Sequence, residues 1–328
     1  MYKVVSLFAG CGGCDQGIIG DFKFNKHKYA RLPYDLVYAM DIDQKALNTH
    51  KLNFSGAEVR CEDICKVDAS EIPDCDIVIG GFPCQSFSTV NPTKDPFDDR
   101  ANLYKQMVRV VKAKQPLAFV AENVKGLLTL HNGEIFKKVC KAFEGAGYVL
   151  EYKLVNSADY GVPQKRERVI LVGFRKDLGI KFEFPKETHK DKWVPLSVAV
   201  PKLDIDEEKY YFSQRAVEGM KNAKPNMKRG LWQKLDEPCL TVTSHLAKVS
   251  LNSRDPVLLV DPDKELYRRF TPREAARIQS FPDNFEFAGS ESDAYRQIGN
   301  AVPPVLFWNI AQKISEQLAE KDSEVKHV

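Results

Sequence analysis

No apolar run in this 328-residue chain approaches the ~20 residues that a membrane-spanning helix requires, which excludes a helical membrane protein and any membrane partner that such a helix would serve. Internal repeats and low-complexity tracts are absent as well, so solenoid and disordered classes fall away. Neither sign of charge is in excess. With 48 Lys and Arg against 45 Asp and Glu, a formal net charge of +3 permits a local nucleic-acid patch without demanding one. Cysteine is scarce as a scaffold. Eight residues at irregular spacings, behind an N-terminus that runs from Met1-Tyr2-Lys3-Val4-Val5 straight into glycines, point to reduced thiols and a cytoplasmic location. Cys11 and Cys14 with Cys61 and Cys65 offer four thiols for zinc, but two of them sit in a glycine turn with another use, so no metal is expected.

What is present is an alternating rhythm. Val4–Phe8, Leu36–Met40, Asp76–Ile79, Leu117–Val120 and Arg168–Val172 read as buried strands. Asp43–His50, Ala101–Ala113 and Gly133–Phe143 carry helical spacing between them, with Asn102 or Gly133 near helix starts and Gly145 near a stop. The class is α/β, with helices on both faces of a parallel sheet. From about Lys181 to Asp263 the rhythm gives way to Lys, Pro and turn residues without a sustained helix. A helical pattern resumes at Leu266, and Val305–Leu318 is amphipathic. The expected division is therefore 1–178, a small unit at 179–265, and a C-terminal segment at 266–328.

The first strand empties into Phe8-Ala9-Gly10-Cys11-Gly12-Gly13, where missing side chains let the backbone turn and approach a nucleotide-like ligand; a plain structural turn explains the same glycines equally well. Asp41-Ile42-Asp43 ends the second strand, and an acid at that tip, Asp41, suits two ribose hydroxyls. The third strand is expected to end at Asp63-Ile64, a carboxylate for an adenine amine beside an apolar side chain for the ring, although strand-end acids also serve as ordinary solubilising residues. After the fourth strand comes Gly80-Gly81-Phe82-Pro83-Cys84-Gln85-Ser86-Phe87-Ser88, beyond a strand carboxyl end, where such sheets bind substrates. A lone cysteine is usually inert core. Here Glu122-Asn123-Val124 ends the next strand and Gln164-Lys165-Arg166-Glu167-Arg168 brings two guanidinium groups to the same rim, so thiol, acid and fixed cations make a reaction centre.

These blocks resemble the C5-cytosine DNA methyltransferases of the bacterial restriction-modification type, in order and spacing, over nearly the whole chain. Phe8–Gly13 is similar to that family's cofactor loop, Pro83-Cys84-Gln85 to its catalytic motif, Glu122-Asn123-Val124 and Gln164–Arg168 to the two that follow, Arg269–Pro282 to the block that organises the recognition domain, and Gln297–Pro304 to the last block, which folds back beside the first strand. Ser6 stands where many members have Asp, Asp41 replaces a longer Glu, and about nine extra residues rich in Lys and aromatics lie between the glycine loop and Asp41, as surface insertions do.

The resemblance implies a Rossmann-like S-adenosylmethionine-dependent methyltransferase fold with a smaller target-recognition domain, S-adenosylhomocysteine as product, double-stranded DNA as partner, a monomer, and a cognate restriction endonuclease acting separately. It places Phe8, Gly10, Cys11, Gly12, Gly13, Asp41, Ile42, Asp63, Ile64, Pro83, Leu103, Asn300 and Ala301 at the cofactor, and Gln85, Ser86, Ser88, Arg100, Gln164 and Thr241 at DNA. Cys84 is the implied nucleophile at C6 of a flipped-out cytosine, Glu122 the acid at N3, and Arg168 the partner of O2 with Arg166 in reserve. The same chemistry on transfer RNA, and a non-catalytic nucleic-acid reader, are the alternatives.

Overall fold

The structure is a computed structural model and describes residues 1–83, 103–222, 232–251 and 255–326. In chain order, strand β1 (Tyr2–Leu7) leads to helix α1 (Gly13–Ile19), a hairpin of β2 (Phe22–Phe24) and β3 (His27–Tyr29), β4 (Tyr34–Asp41), α2 (Gln44–Asn53), β5 (Glu58–Cys61) and β6 (Ile77–Gly80). Helix α3 (Leu103–Lys114), β7 (Ala118–Val124), α4 (Glu134–Gly145), β8 (Tyr148–Asn156), β9 (Gln164–Lys165) and β10 (Glu167–Arg175) complete the first half. Seven strands form one sheet in the order β5-β4-β1-β6-β7-β10-β8. The pairs from β5 to β7 are parallel, as the buried β-branched runs predict.

β10 departs from the expected all-parallel arrangement, running antiparallel to both β7 and β8. β8 escapes sequence reading because it is an edge strand in which Glu151 and Lys153 interrupt the apolar residues. The third strand ends at Cys61, two residues earlier than expected, because the Asp63 carboxylate accepts the Cys65 N–H and turns the chain there. α3 and α4 bury Tyr104, Met107, Val110 and Val111, and Ile135, Phe136, Val139 and Phe143, at helical spacing against one face of the sheet.

The other face carries α1 and the C-terminal helix α8, introduced below, and its core runs on into the segment expected to be separate. Leu196, Ala199, Val200, Cys239, Val242 and Leu246 pack in the same cluster as Val4, Ile77 and Val120. In that segment the sole α-helix among the described residues is the eight-residue α5 (Gln214–Lys221), and β11 (Cys239–Leu240) pairs parallel with β9. A small cluster of Val217, Val249, Leu251 and Val257 stands apart.

The helical pattern expected from Leu266 begins later. Leu266–Arg268 is strand β13, antiparallel to β12 (Leu258–Asp261), and α6 (Pro272–Ile278) starts at a capping box in which Thr271 and Glu274 bond each other's backbone N–H. Pro272 holds the residue before it out of the helical region, which sets the boundary. α7 (Glu291–Asn300) opens on a second capping box, Ser290 with Asp293. α8 (Pro304–Lys326) then buries Val305, Leu306, Ile310, Ala311 and Ile314 against the sheet, each large side chain contributing about 1.5–3 kcal/mol.

Candidate active site

A cavity of about 570 Å³ opens at the carboxyl ends of β1, β4, β6 and β7, a size that suits a nucleoside-bearing ligand. Its floor is the glycine turn. Phe8 holds a left-handed backbone (φ 55°), a strained state for an aromatic residue, and Gly12 takes φ 95° as the N-cap of α1. A side chain on Gly13 would run into the Val302 carbonyl, so its absence lets the α7–α8 junction close over the turn. Asn300, Ala301 and Val302 thereby line the cavity opposite Phe8, Gly10 and Cys11.

Asp41 supports the turn from the next strand. Its carboxylate accepts the Gly10 N–H at 2.8 Å and the Asp43 N–H at 2.9 Å, leaving lone pairs for incoming hydroxyl donors. Burial pushes its pKa above the ordinary aspartate value against these hydrogen bonds. Asp63 and buried Ile64 line the same side, Ile42 projects exposed at the rim, and Pro83 and Leu103 complete the wall. Gly12 is the cofactor assignment that does not reach the cavity: it faces His50 of α2 and Phe54 just past that helix, so its part is packing behind the loop.

The reacting end is built by the adjacent, parallel strands β6 and β7. A Cβ on Gly81 would stand 3.0 Å from Glu122 Oε2, so glycine gives the carboxylate its space. Glu122 Oε1 lies 3.0 Å from Arg168 Nε, both side chains mostly buried. Asn123 donates to the Phe82 carbonyl at 2.8 Å and so ties the backbone just before Pro83-Cys84 to the end of β7. Cys84, Gln85, Ser86, Ser88 and Arg100, with the helix start expected at Ala101 or Asn102, lie outside the described residues.

Arg166 and Arg168 part company. Arg166 is buried behind the cavity wall, where its two terminal nitrogens donate to the Val242, Gly299 and Ala301 carbonyls at 3.1–3.2 Å and act as a strut, while its Nε–H meets no acceptor among the described residues. Burial first, then the Arg168 charge, pull it below the ordinary arginine range. Gln164, assigned to DNA, lies in the interior too: it donates to Gln279 Oε1 and accepts from the Val242 N–H, which consumes its amide. Thr241 is half-buried and gives its hydroxyl proton to the Lys165 carbonyl at 2.8 Å. These contacts hold the block around Cys239–Thr243 to β9 and Arg166, just ahead of the strand that carries Arg168.

A match to the family model described as "C-5 cytosine-specific DNA methylase" covers residues 2–316. The chain belongs to this family. As a DNA (cytosine-5-)-methyltransferase it takes its methyl group from S-adenosylmethionine and leaves S-adenosylhomocysteine. It is 35% identical to the Type II methyltransferase M.FnuDI of Fusobacterium nucleatum over 99% of this chain and 98% of that one, and 35% identical to M.NgoPII of Neisseria gonorrhoeae over 96% of each. Among solved structures, a prophage-encoded DNA modification methyltransferase of E. coli described as putative superposes with a TM-score of 0.73 at 25% identity, over 97% of this chain and all of that one. DNMT2 of Spodoptera frugiperda shares the fold, with a TM-score of 0.71 at 19% identity over 98% and 99% of the two chains.

The methyltransferase cavity also has residues that the site assignments leave out. Arg296, Gln297, Asp43 and Glu62 line it. Arg296 bridges Asp43 at 3.2 Å and Asp293 at 3.3 Å, and Gln297 accepts from Thr49 at 2.6 Å, so α7 is fastened to α2 along the cavity edge. Gln297 opens the last motif and was therefore visible as a block; its partner on α2 was not. Among the described residues no group of three or more His, Cys, Asp or Glu side chains is arranged to hold a metal.

Proposed function

We propose that this methyltransferase modifies C5 of a cytosine flipped out of a short, specific duplex sequence, through a covalent bond between Cys84 and C6. The observation that carries the reading is the Glu122–Arg168 pair at 3.0 Å, on the cavity wall beside the strand end that leads into Pro83-Cys84. Asp41 would take the ribose hydroxyls of the cofactor, Asp63 and Ile64 its base, with Ile42 beside them; Phe8, Gly10, Cys11, Gly13, Pro83, Leu103, Asn300 and Ala301 would enclose the rest. When bound, S-adenosylmethionine supplies an electrophilic methyl group.

C5 of cytosine is a poor nucleophile because the ring is conjugated and electron-poor. Addition of the Cys84 thiolate to C6 breaks that conjugation. The electron pair displaced from the C5–C6 bond moves into the ring, where Glu122, protonated from solvent once Arg168 turns from it to O2, gives its proton to N3 and neutralises it. Once C5 carries the methyl group, its proton leaves to a base, Glu122 recovers its proton from N3, and the electrons returned to the ring expel Cys84. Arg168 thus serves two groups, keeping Glu122 in place before the base arrives and O2 afterwards.

A base inside a stacked duplex cannot reach this wall, so flipping is required, with the Phe82–Arg100 segment closing over it and Gln85, Ser86, Ser88 and Arg100 meeting DNA. That the relatives are Type II methyltransferases supports a restriction-modification setting with a separately acting endonuclease. One flipped base needs one chain, which favours a monomer, and no helix among the described residues is long and apolar enough to cross a membrane.

The test is expression in a host without cytosine methylation, followed by bisulfite sequencing of its DNA, with Cys84→Ser as control. Protected cytosines confined to one short motif, and none with the variant, are expected. No protection from a folded protein that binds S-adenosylmethionine, or full activity of Cys84→Ser, overturns the reading.

A further inference from the structure

The extra residues between the glycine loop and Asp41 form the β2–β3 hairpin, which lines neither the active-site cavity nor the sheet. Its inner side is a firm anchor. Phe22, Phe24 and Tyr29 are buried, Tyr29 stacks on Phe22 at 4.8 Å and meets the Trp308 ring of α8 edge-on at 5.2 Å, and Trp308 Nε1 donates to the Ala30 carbonyl at 2.9 Å. The turn residues Asn25 and Lys26 both take left-handed backbones, the geometry of a tight two-residue hairpin.

The outer side is basic. Lys23 and Lys28 stand directly opposite each other across the ladder, Lys26 occupies the turn, and His27 lies beside it, all exposed. Like charges at directly opposed positions destabilise a hairpin, so this register carries a cost that a Thr or Glu at either position would remove. None of the three lysines joins an ion pair with a described residue.

We propose that the β2–β3 hairpin is an auxiliary DNA-binding surface, whose Lys23, Lys26 and Lys28 neutralise backbone phosphates of duplex outside the recognition sequence. This rests on the reading of the chain as a DNA methyltransferase. A rigid hairpin with regularly placed ammonium groups and no base-sized pocket suits the phosphate backbone, which demands charge and not sequence. Its effect is to add salt-dependent affinity for long DNA while leaving chemistry on the flipped base alone.

The test compares wild type with a Lys23→Ala, Lys26→Ala, Lys28→Ala variant on two duplexes sharing one methylation site, of about one helical turn and about four turns. On the long duplex the variant should bind more weakly, with a slope of log Kd against log salt shallower by about 2 to 3. On the short duplex, affinity, turnover and KM for S-adenosylmethionine should match wild type. Charge reversal of the same lysines to Glu should deepen the long-duplex defect, and a melting temperature no lower than that of wild type confirms folding of the alanine variant. Equal slopes on the long duplex overturn the hairpin proposal, as does a loss equal on both duplexes; the first is also the outcome if the patch serves an acidic protein instead. A wild-type protein that binds neither duplex overturns the DNA reading beneath it.

Discussion

Arg166, in the one-residue gap between β9 and β10, and Arg168, near the start of β10, lie two positions apart and find different partners. Arg168 faces a carboxylate at the cavity wall, while Arg166 faces three backbone carbonyls in the interior. Arg168→Ala should therefore lower kcat by about 10²–10³-fold, with unfolding free energy within about 1 kcal/mol of wild type. Arg166→Ala should do the reverse at first contact, costing about 3 kcal/mol by leaving buried carbonyls without donors, and lysine should not rescue it because one ammonium cannot span three acceptors. Urea unfolding with single-turnover assays on each variant separates the two; an Arg166→Ala protein as stable as wild type would show that the strut carries no weight. The sequence reveals both cations and the acid they approach. It does not reveal which one turns inward, because the acceptors of Arg166 come from positions 76 to 135 residues away. The same holds for Gln164, whose motif position suggests DNA while its partners Gln279 and Val242 consume it.

Elements whose signals are local were legible. The runs in β1, β4, β6, β7 and β10 gave their strands, and α3 and α4 their faces, whereas β8 and the hairpin depend on neighbours that no window contains. α7 shows how a local signal acquires a distant consequence. Asp293 closes the capping box with Ser290 and also takes Lys45 of α2 at 3.0 Å, and these partners, Ser290 foremost, hold its pKa at about 2. A depressed carboxylate stabilises the fold above its unfolded value of about 3.9 and loses that contribution as pH falls from there toward about 2. Asp293→Asn should thus lower the urea midpoint at neutral pH, and the gap to wild type should shrink at about pH 3. A gap that stays constant would mean that the amide geometry matters and the charge does not. Because α7 carries Arg296, Gln297 and Asn300 to the cavity, the neutral-pH variant should also show a raised KM for S-adenosylmethionine.

At the scale of the molecule, the sequence suggests a division at 178/179 and 265/266, and we propose it as a functional division laid over shared packing. Leu196, Ala199, Val200, Cys239, Val242 and Leu246 enter the same core as β1 and β6, and Arg166 and Gln279 lock the Ala301 carbonyl into that junction. The small cluster of Val217, Val249, Leu251 and Val257 has no such connection. The segment between 179 and 265 should therefore be split in stability, with an inner part that unfolds with the sheet and an outer part that opens on its own. Such an outer part suits target reading, since a surface that must fit a duplex gains from opening at low cost while the wall holding Glu122 and Arg168 stays fixed. Hydrogen exchange followed by mass spectrometry decides it: peptides covering 212–222 and 249–251 should exchange well ahead of those covering 194–200 and 239–246, and the latter should keep pace with β6 and β7. Uniform exchange across 179–265, faster than the sheet, would instead make the whole segment an independent unit and leave the Arg166 strut spanning a joint.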